Sequence, residues 1–190
     1  MGLAHSSVFV GVALVSLFAQ GAYWPGFRAP AKCVAEVEKG YLWLEAEEFS
    51  DYGTWVIDTQ FVGKMGSAYL LGAGVTGTCA SASTRLAVPC AGRWRAWART
   101  RDWIPECHPG RFAIEVGGRR SPELGNSGRK GWLWQSAGTF ELAAGETEVK
   151  LVDLTGWFAR CDAILLTTDA AYVPPDDPAA ISRHVPWLKR

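Results

Sequence analysis

Two glutamates, Glu45 and Glu47, stand one residue apart at the end of the apolar run YLWL. On an extended strand, side chains two residues apart share a face. Like charges side by side repel unless something positive separates them. Solvent with nearby arginines, a shared catalytic proton or a metal ion would each serve. A glycosidase needs its two carboxyl groups on either side of the bond it breaks, and one strand face does not provide that. The chain carries no G-x-S-x-G and no H-E-x-x-H, the spacings of a nucleophile elbow and a zinc helix. Chemistry by this chain alone is therefore not expected. Ca²⁺ gathers several carboxylate and carbonyl oxygens and suits the pair better, with a further carboxylate brought by another strand. A solvated strand edge neutralised by arginines is the competing reading.

The segment AGRWRAWARTRDW alternates, with Trp94, Ala96, Ala98 and Thr100 on one face and Arg93, Arg95, Trp97, Arg99 and Arg101 on the other. The arginine ladder reads first as the outer face of a strand, paired with acids on its neighbours. The alternative is a grip on an acidic polysaccharide. Ten tryptophans are many for 190 residues. Flat aromatic rings fill cores, and they also stack on the C–H faces of sugars while polar neighbours bond the hydroxyls. Trp43, Trp94 and Trp134 lie in alternating runs and are assigned to the core. Trp103, Trp132 and Trp157 lie beside turn residues, where packing and ligand contact are both open. GAGVTG at 72–77 matches G-x-G-x-x-G, but a dinucleotide-binding turn needs a helix after it. The next segment, TCASASTRLAVPC, is rich in Ser and Thr and soon meets Pro89. The glycine run is read as a loop between strands.

The elements that must position these groups are strands. Apolar runs at 41–49, 54–62, 81–88, 92–101 and 112–116, and then from 132 onward, are separated by Gly and Pro turns. No window shows a 3.6-residue period. That pattern predicts an all-β chain, an antiparallel β-sandwich. The boundaries expected are a signal peptide at 1–21, an irregular lead at 22–40, the sandwich at 41–173 and a Pro-rich tail at 174–190. The apolar core of the signal, VFVGVALVSLFA, is too short to span a bilayer. An exported protein is expected, periplasmic or extracellular, with no membrane span after cleavage. Cys33, Cys79, Cys90, Cys107 and Cys161 show no C-x-x-C spacing, which disfavours thiolate zinc, while export permits disulfides. Zero formal net charge argues against a nucleic-acid partner.

Taken in order, LEAEEF, AGRWRAWARTRDW, GWLWQSAGTFELAAGETEVKL and CDAILLTTD resemble carbohydrate-binding modules of families 6 and 35. These are jelly rolls of the galactose-binding-domain-like kind. Within that group, the succession is most similar to a module that precedes FAD-dependent oxidoreductase domains in secreted bacterial proteins. The resemblance covers residues 41–173. It implies non-catalytic carbohydrate binding and a structural Ca²⁺ held by Glu45, Glu47 and Asp162. It also implies a sugar cleft in loops at one end of the sandwich, with Trp132 as its main ring and Trp103 and Tyr69 beside it. A polysaccharide or other glycan is the implied partner. The alternative is an accessory module that docks onto a secreted oxidoreductase or glycan-degrading enzyme and binds no sugar itself. GKMGSAYLLGAGVTG departs from the stretch that helps build the family's cleft.

Overall fold

Period-2 alternation becomes a strand wherever one face can be buried. The segment ASTRLAV shows this directly, its alternate residues being buried. In the computed structural model, residues 41–62, 67–74 and 77–177 are described. The expected signal peptide at 1–21, the lead at 22–40 and the tail beyond residue 177 lie outside the described residues. The strands are β1 Tyr41–Glu45, β2 Val56–Asp58, β3 Tyr69–Gly72, β4 Ala82–Val88 and β5 Gly92–Arg101. They continue with β6 Phe112–Val116, β7 Arg119–Arg120, β8 Trp132–Leu142, β9 Gly145–Asp153 and β10 Ala159–Thr167. These strands pair antiparallel throughout. One sheet runs β2-β3-β10-β5-β8 with β1 also on β10, and the other runs β4-β9-β6-β7. The chain is an antiparallel β-sandwich of the jelly-roll kind.

Strand β10 organises the larger sheet. Its start pairs with β3, its later part with β1, and its opposite edge with β5. The β5 register shifts between Cys161 and Ala163, so Asp162 sits at a bulge, a place where a strand re-aims a side chain. All nine residues of β10 are buried, some in the cluster between the sheets and some in a second cluster with Trp43, Trp97 and Trp134. Between the sheets lie Leu42, Leu44, Trp94, Phe112, Ile114, Leu151 and Ile164. Each such side chain contributes about 1.5–3 kcal/mol by leaving water. On the outer face Trp43, Trp97 and Trp134 pack with Ala163 and Leu165. At the free edge of β8 the Trp134 backbone N–H donates to Asp176 Oδ1 at 2.8 Å, which pairs one edge donor.

Two local readings change. Strand β1 ends at Glu45, and Ala46–Glu48 form a 3₁₀ turn. Glu45 and Glu47 are therefore not two same-face residues of one strand. The apolar run at 54–62 is a strand only over Val56–Asp58, and Val56 and Ile57 are exposed. The glycine run agrees with its reading as a loop between strands: position 72 ends β3 and the next described element is strand β4. Cys79 and Cys161 are buried thiols and Cys107 is an exposed one. Cys90 is buried, and Cys33 lies outside the described residues. Among the described residues, no helix is long and apolar enough to cross a membrane.

Candidate functional site

One end of the sandwich is built by loops held on two buried aspartates. Asp102 follows the last residue of β5 and is 2% exposed. Its Oδ2 accepts the Gly128 N–H at 2.9 Å and lies 2.6 Å from His108 Nδ1. The carboxylate thus closes the loop at 102–108 on itself and ties it to the loop before β8. Asp153 ends β9. Its Oδ1 accepts from Thr155 N and Gly156 N at 3.1 and 3.0 Å, and its Oδ2 accepts from Cys79 N at 2.8 Å. An Asp at a strand end that bonds the backbone two residues on starts a turn. Here it also carries the β3–β4 loop.

These loops present aromatic rings. Trp103 and Trp157 are 43% and 51% exposed. Phe158 lies edge-on to both, with ring centroids at 5.8 Å from Trp103 and 6.1 Å from Trp157. Beneath them Arg160, 6% exposed, donates from Nη1 to the Phe158 carbonyl at 2.8 Å and places its guanidinium 5.1 Å from the Trp103 ring centroid. Cation–π attraction of this kind holds a ring in place. Phe158 has φ 57° and His108 has φ 48°, and among the described residues these two alone combine a side chain with positive φ. A bulky residue in that region is strained by about 1–3 kcal/mol and persists where its surroundings over-determine it. A Cβ on Gly156, itself at φ +74°, would lie 2.4 Å from the Gly77 carbonyl oxygen. Glycine there lets the two loops meet beside Trp157.

Trp132 and Tyr69 stand differently from the expectation. Trp132 is the first residue of β8, not a loop residue, and is 9% exposed, while Tyr69 is fully buried. Their centroids are 4.8 Å apart, and Phe61 packs on both at 6.0 Å. The Tyr69 hydroxyl donates to Asp58 Oδ2 at 2.5 Å. Burial and that bond push its pKa up to about 12. As they stand, neither ring offers a face to a ligand, whereas Trp103 does. Phe158, Arg160, His108 and Asp153 escaped the sequence reading. The Asp followed by Thr-Gly at 153–156 was the signal available, as a turn signature.

A separate centre gathers carboxylates at the β10 bulge. Glu45 is paired with Ala163, next to Asp162. Asp162 Oδ2 lies 3.7 Å from Arg99 Nη1, and both side chains are buried. Burial raises the Asp162 pKa well above its usual range; Arg99 opposes that, and Glu45 and Glu47 add to it. Burial and then Glu45 push Glu47 up to about 7. Asp162 Oδ1 and Glu47 Oε2 are buried without a hydrogen-bond partner. Such oxygens are suited to a hard cation. Among the described residues no three His, Cys, Asp or Glu side chains are already posed to hold one. The Tyr52 hydroxyl donates to the Glu47 carbonyl and anchors the turn.

Comparison with known proteins adds the fold. No protein-family model matches the chain and no curated protein does. Solved structures do. The chain is similar to the Podospora anserina GH26-CBM35 β-(1,4)-mannanase, with 22% identity, a TM-score of 0.56, and 71% of this chain covered. It spans 29% of that enzyme's own length. A family 35 carbohydrate-binding module from an environmental isolate matches at 21% identity and TM-score 0.52, covering 67% of this chain and 93% of the module. The C-terminal family 6 module of a marine laminarinase from Zobellia galactanivorans matches at 19% identity and TM-score 0.52, covering 67% and 99%.

Proposed function

We propose that this protein is a non-catalytic carbohydrate-binding module that takes a glycan on the rim formed by Trp103, Phe158 and Trp157. The observation that carries the reading is that two exposed tryptophans flank a strained phenylalanine on loops pinned by buried Asp102 and Asp153. Exposed rings held rigidly lose little freedom on binding, and they offer the flat apolar surface that a sugar ring needs. His108, fixed through Nδ1 by Asp102, keeps Nε2 for a hydroxyl. Likeness in fold to family 35 and family 6 modules supports the reading.

In the same reading, Glu45, Glu47 and Asp162 hold a structural Ca²⁺. The ion would neutralise their mutual repulsion and join β1 to β10. The buried, unpartnered oxygens of Glu47 and Asp162 support this. The apolar segment at 8–19 supports export.

The test is titration of the chain with mannan, laminarin, β-1,3-galactan and xylan, read by intrinsic tryptophan fluorescence with Ca²⁺ present. A saturable response to one glycan that is lost in Trp157→Ala supports the reading. Silence from the folded protein would overturn it and favour an accessory module docking onto a secreted oxidoreductase or glycan-degrading enzyme.

A further inference from the structure

At the other end of the larger sheet, strands β5, β8 and β10 floor a groove of about 470 Å³. That volume falls within the range of about 300–1,000 Å³ for small-molecule pockets. Arg93, Arg95, Ser136, Thr139, Thr167 and Thr168 line it, and among the described residues no acidic side chain does. Counted along β5 at about 3.3 Å per residue, its arginines lie roughly 23–30 Å from Asp102 and the aromatic rim.

The four arginines of β5 differ in what holds them. Arg99 faces buried Asp162, and Arg101 lies over the Phe61 ring at 4.3 Å. Arg95 lies over the Trp97 ring at 4.6 Å and donates to the Ala170 carbonyl at 2.7 Å. Ring and carbonyl fix its guanidinium without neutralising it. Arg93 meets Glu141 at 3.8 Å, with side chains 77% and 66% exposed. An exposed pair of that kind contributes little and exchanges readily. The hydroxyls of the lining differ too. Thr167 is wholly buried and its Oγ1 accepts the Asp169 N–H at 3.0 Å, and Thr168 Oγ1 is buried as well. Ser136 and Thr139 are exposed.

We propose that this groove is a second ligand site, which binds an acidic sugar through its carboxylate or sulfate. Two guanidinium forks two residues apart on one strand face match the paired oxygens of either anion. The exposed hydroxyls of Ser136 and Thr139 meet those of the sugar. The chain has zero formal net charge, so attraction of a polyanion arises from this local field and not from the protein as a whole. The site does not depend on the aromatic rim.

Affinity electrophoresis of the full chain in gels containing alginate, dextran sulfate or neutral dextran, at about 0.15 M ionic strength, tests this. Retardation by alginate alone assigns a carboxylate sugar, and retardation by dextran sulfate alone a sulfated one. Arg93→Gln touches only an exposed ion pair and should keep the wild-type melting temperature. It should weaken binding about tenfold, the loss of one charge-assisted hydrogen bond. Arg95→Lys, which keeps the charge and loses the fork, should weaken it as well. Glu141→Gln frees Arg93 and should tighten binding. Retardation equal to that in dextran, or unchanged in the Arg93→Gln/Arg95→Gln double variant, overturns the proposal. Loss of polyanion binding in Trp157→Ala with Arg93→Gln unaffected also overturns it. Failure of the neutral glycan panel bears on the rim alone.

Discussion

His108 Nδ1 lies 2.6 Å from Asp102 Oδ2, and this contact closes the loop that presents Trp103. Both ends of the loop are thereby set by a carboxylate that is 2% exposed. Asp102→Ala leaves the Gly128 N–H and the His108 ring without their acceptor. Stability should fall by about 1–3 kcal/mol, read as a lower denaturant midpoint, and glycan binding should fall with it. A variant with wild-type stability and wild-type binding would show that the loop is held by other contacts.

Three tryptophans should separate into two behaviours. Trp103→Ala and Trp157→Ala remove exposed rings, so binding should be lost with a melting temperature close to wild type. Trp132→Ala empties a packed site against Tyr69 and Phe61, and the cost should be about 3–5 kcal/mol. Thermal unfolding and fluorescence titration of the three variants check both halves.

Calcium should raise the melting temperature and a chelator should lower it. At an ion concentration of about one hundred times the dissociation constant, linkage supplies about 2.7 kcal/mol. Asp162→Ala should abolish the response to chelator. A chelator shift of wild-type size in that variant would remove Asp162 from the metal site.

Arg99 is the only cation paired with Asp162 among the described residues. Breaking a buried pair from one side costs about 3–5 kcal/mol, because the other charge is left uncompensated. Arg99→Met should therefore be strongly destabilised in chelator. Ca²⁺ should restore a large part of the loss by supplying the missing positive charge. Equal destabilisation with and without Ca²⁺ would argue that the ion does not reach Asp162.

Alkaline pH should act through Tyr69 and Tyr172, whose phenols burial holds up to about 12. Below the ordinary value of 10.0 both are protonated in the folded and unfolded chains, and their contribution is fully present. Between 10.0 and about 12 the unfolded chain ionises first, so stability falls with rising pH. Tyr69→Phe should flatten part of that fall in denaturant midpoints measured across this range. An unchanged slope would show that the Tyr69 phenol titrates alike in both states.

Much of the architecture was legible in local pattern. The alternation in AGRWRAWARTRDW separated Trp94 from Trp97, and these rings lie in different clusters on opposite faces of the sheet. Gly117 and Gly118 marked the turn from β6 into β7, and both adopt positive φ. Register across a strand has a period of two, so one buried face is enough to assign each residue a side. The arginine ladder was legible only by half, since Arg93 and Arg99 meet acids while Arg95 and Arg101 meet rings.

The amino-acid order alone determined that this chain is a sandwich of short strands, because alternation and turn chemistry are local properties. It also singled out Glu45, Glu47 and the β5 arginines by type and spacing. Only the tertiary structure decided how those residues meet. Glu47 leaves the strand in a 3₁₀ turn, and a β-bulge sets Asp162 beside Arg99. Nor is it local that Trp132 is covered while Trp103 and Trp157 are exposed. Whether a ring is covered depends on which loops pack over it. Those loops come from strands far apart in the chain, held together by Asp102 and Asp153 through hydrogen bonds spanning 26 and 74 residues.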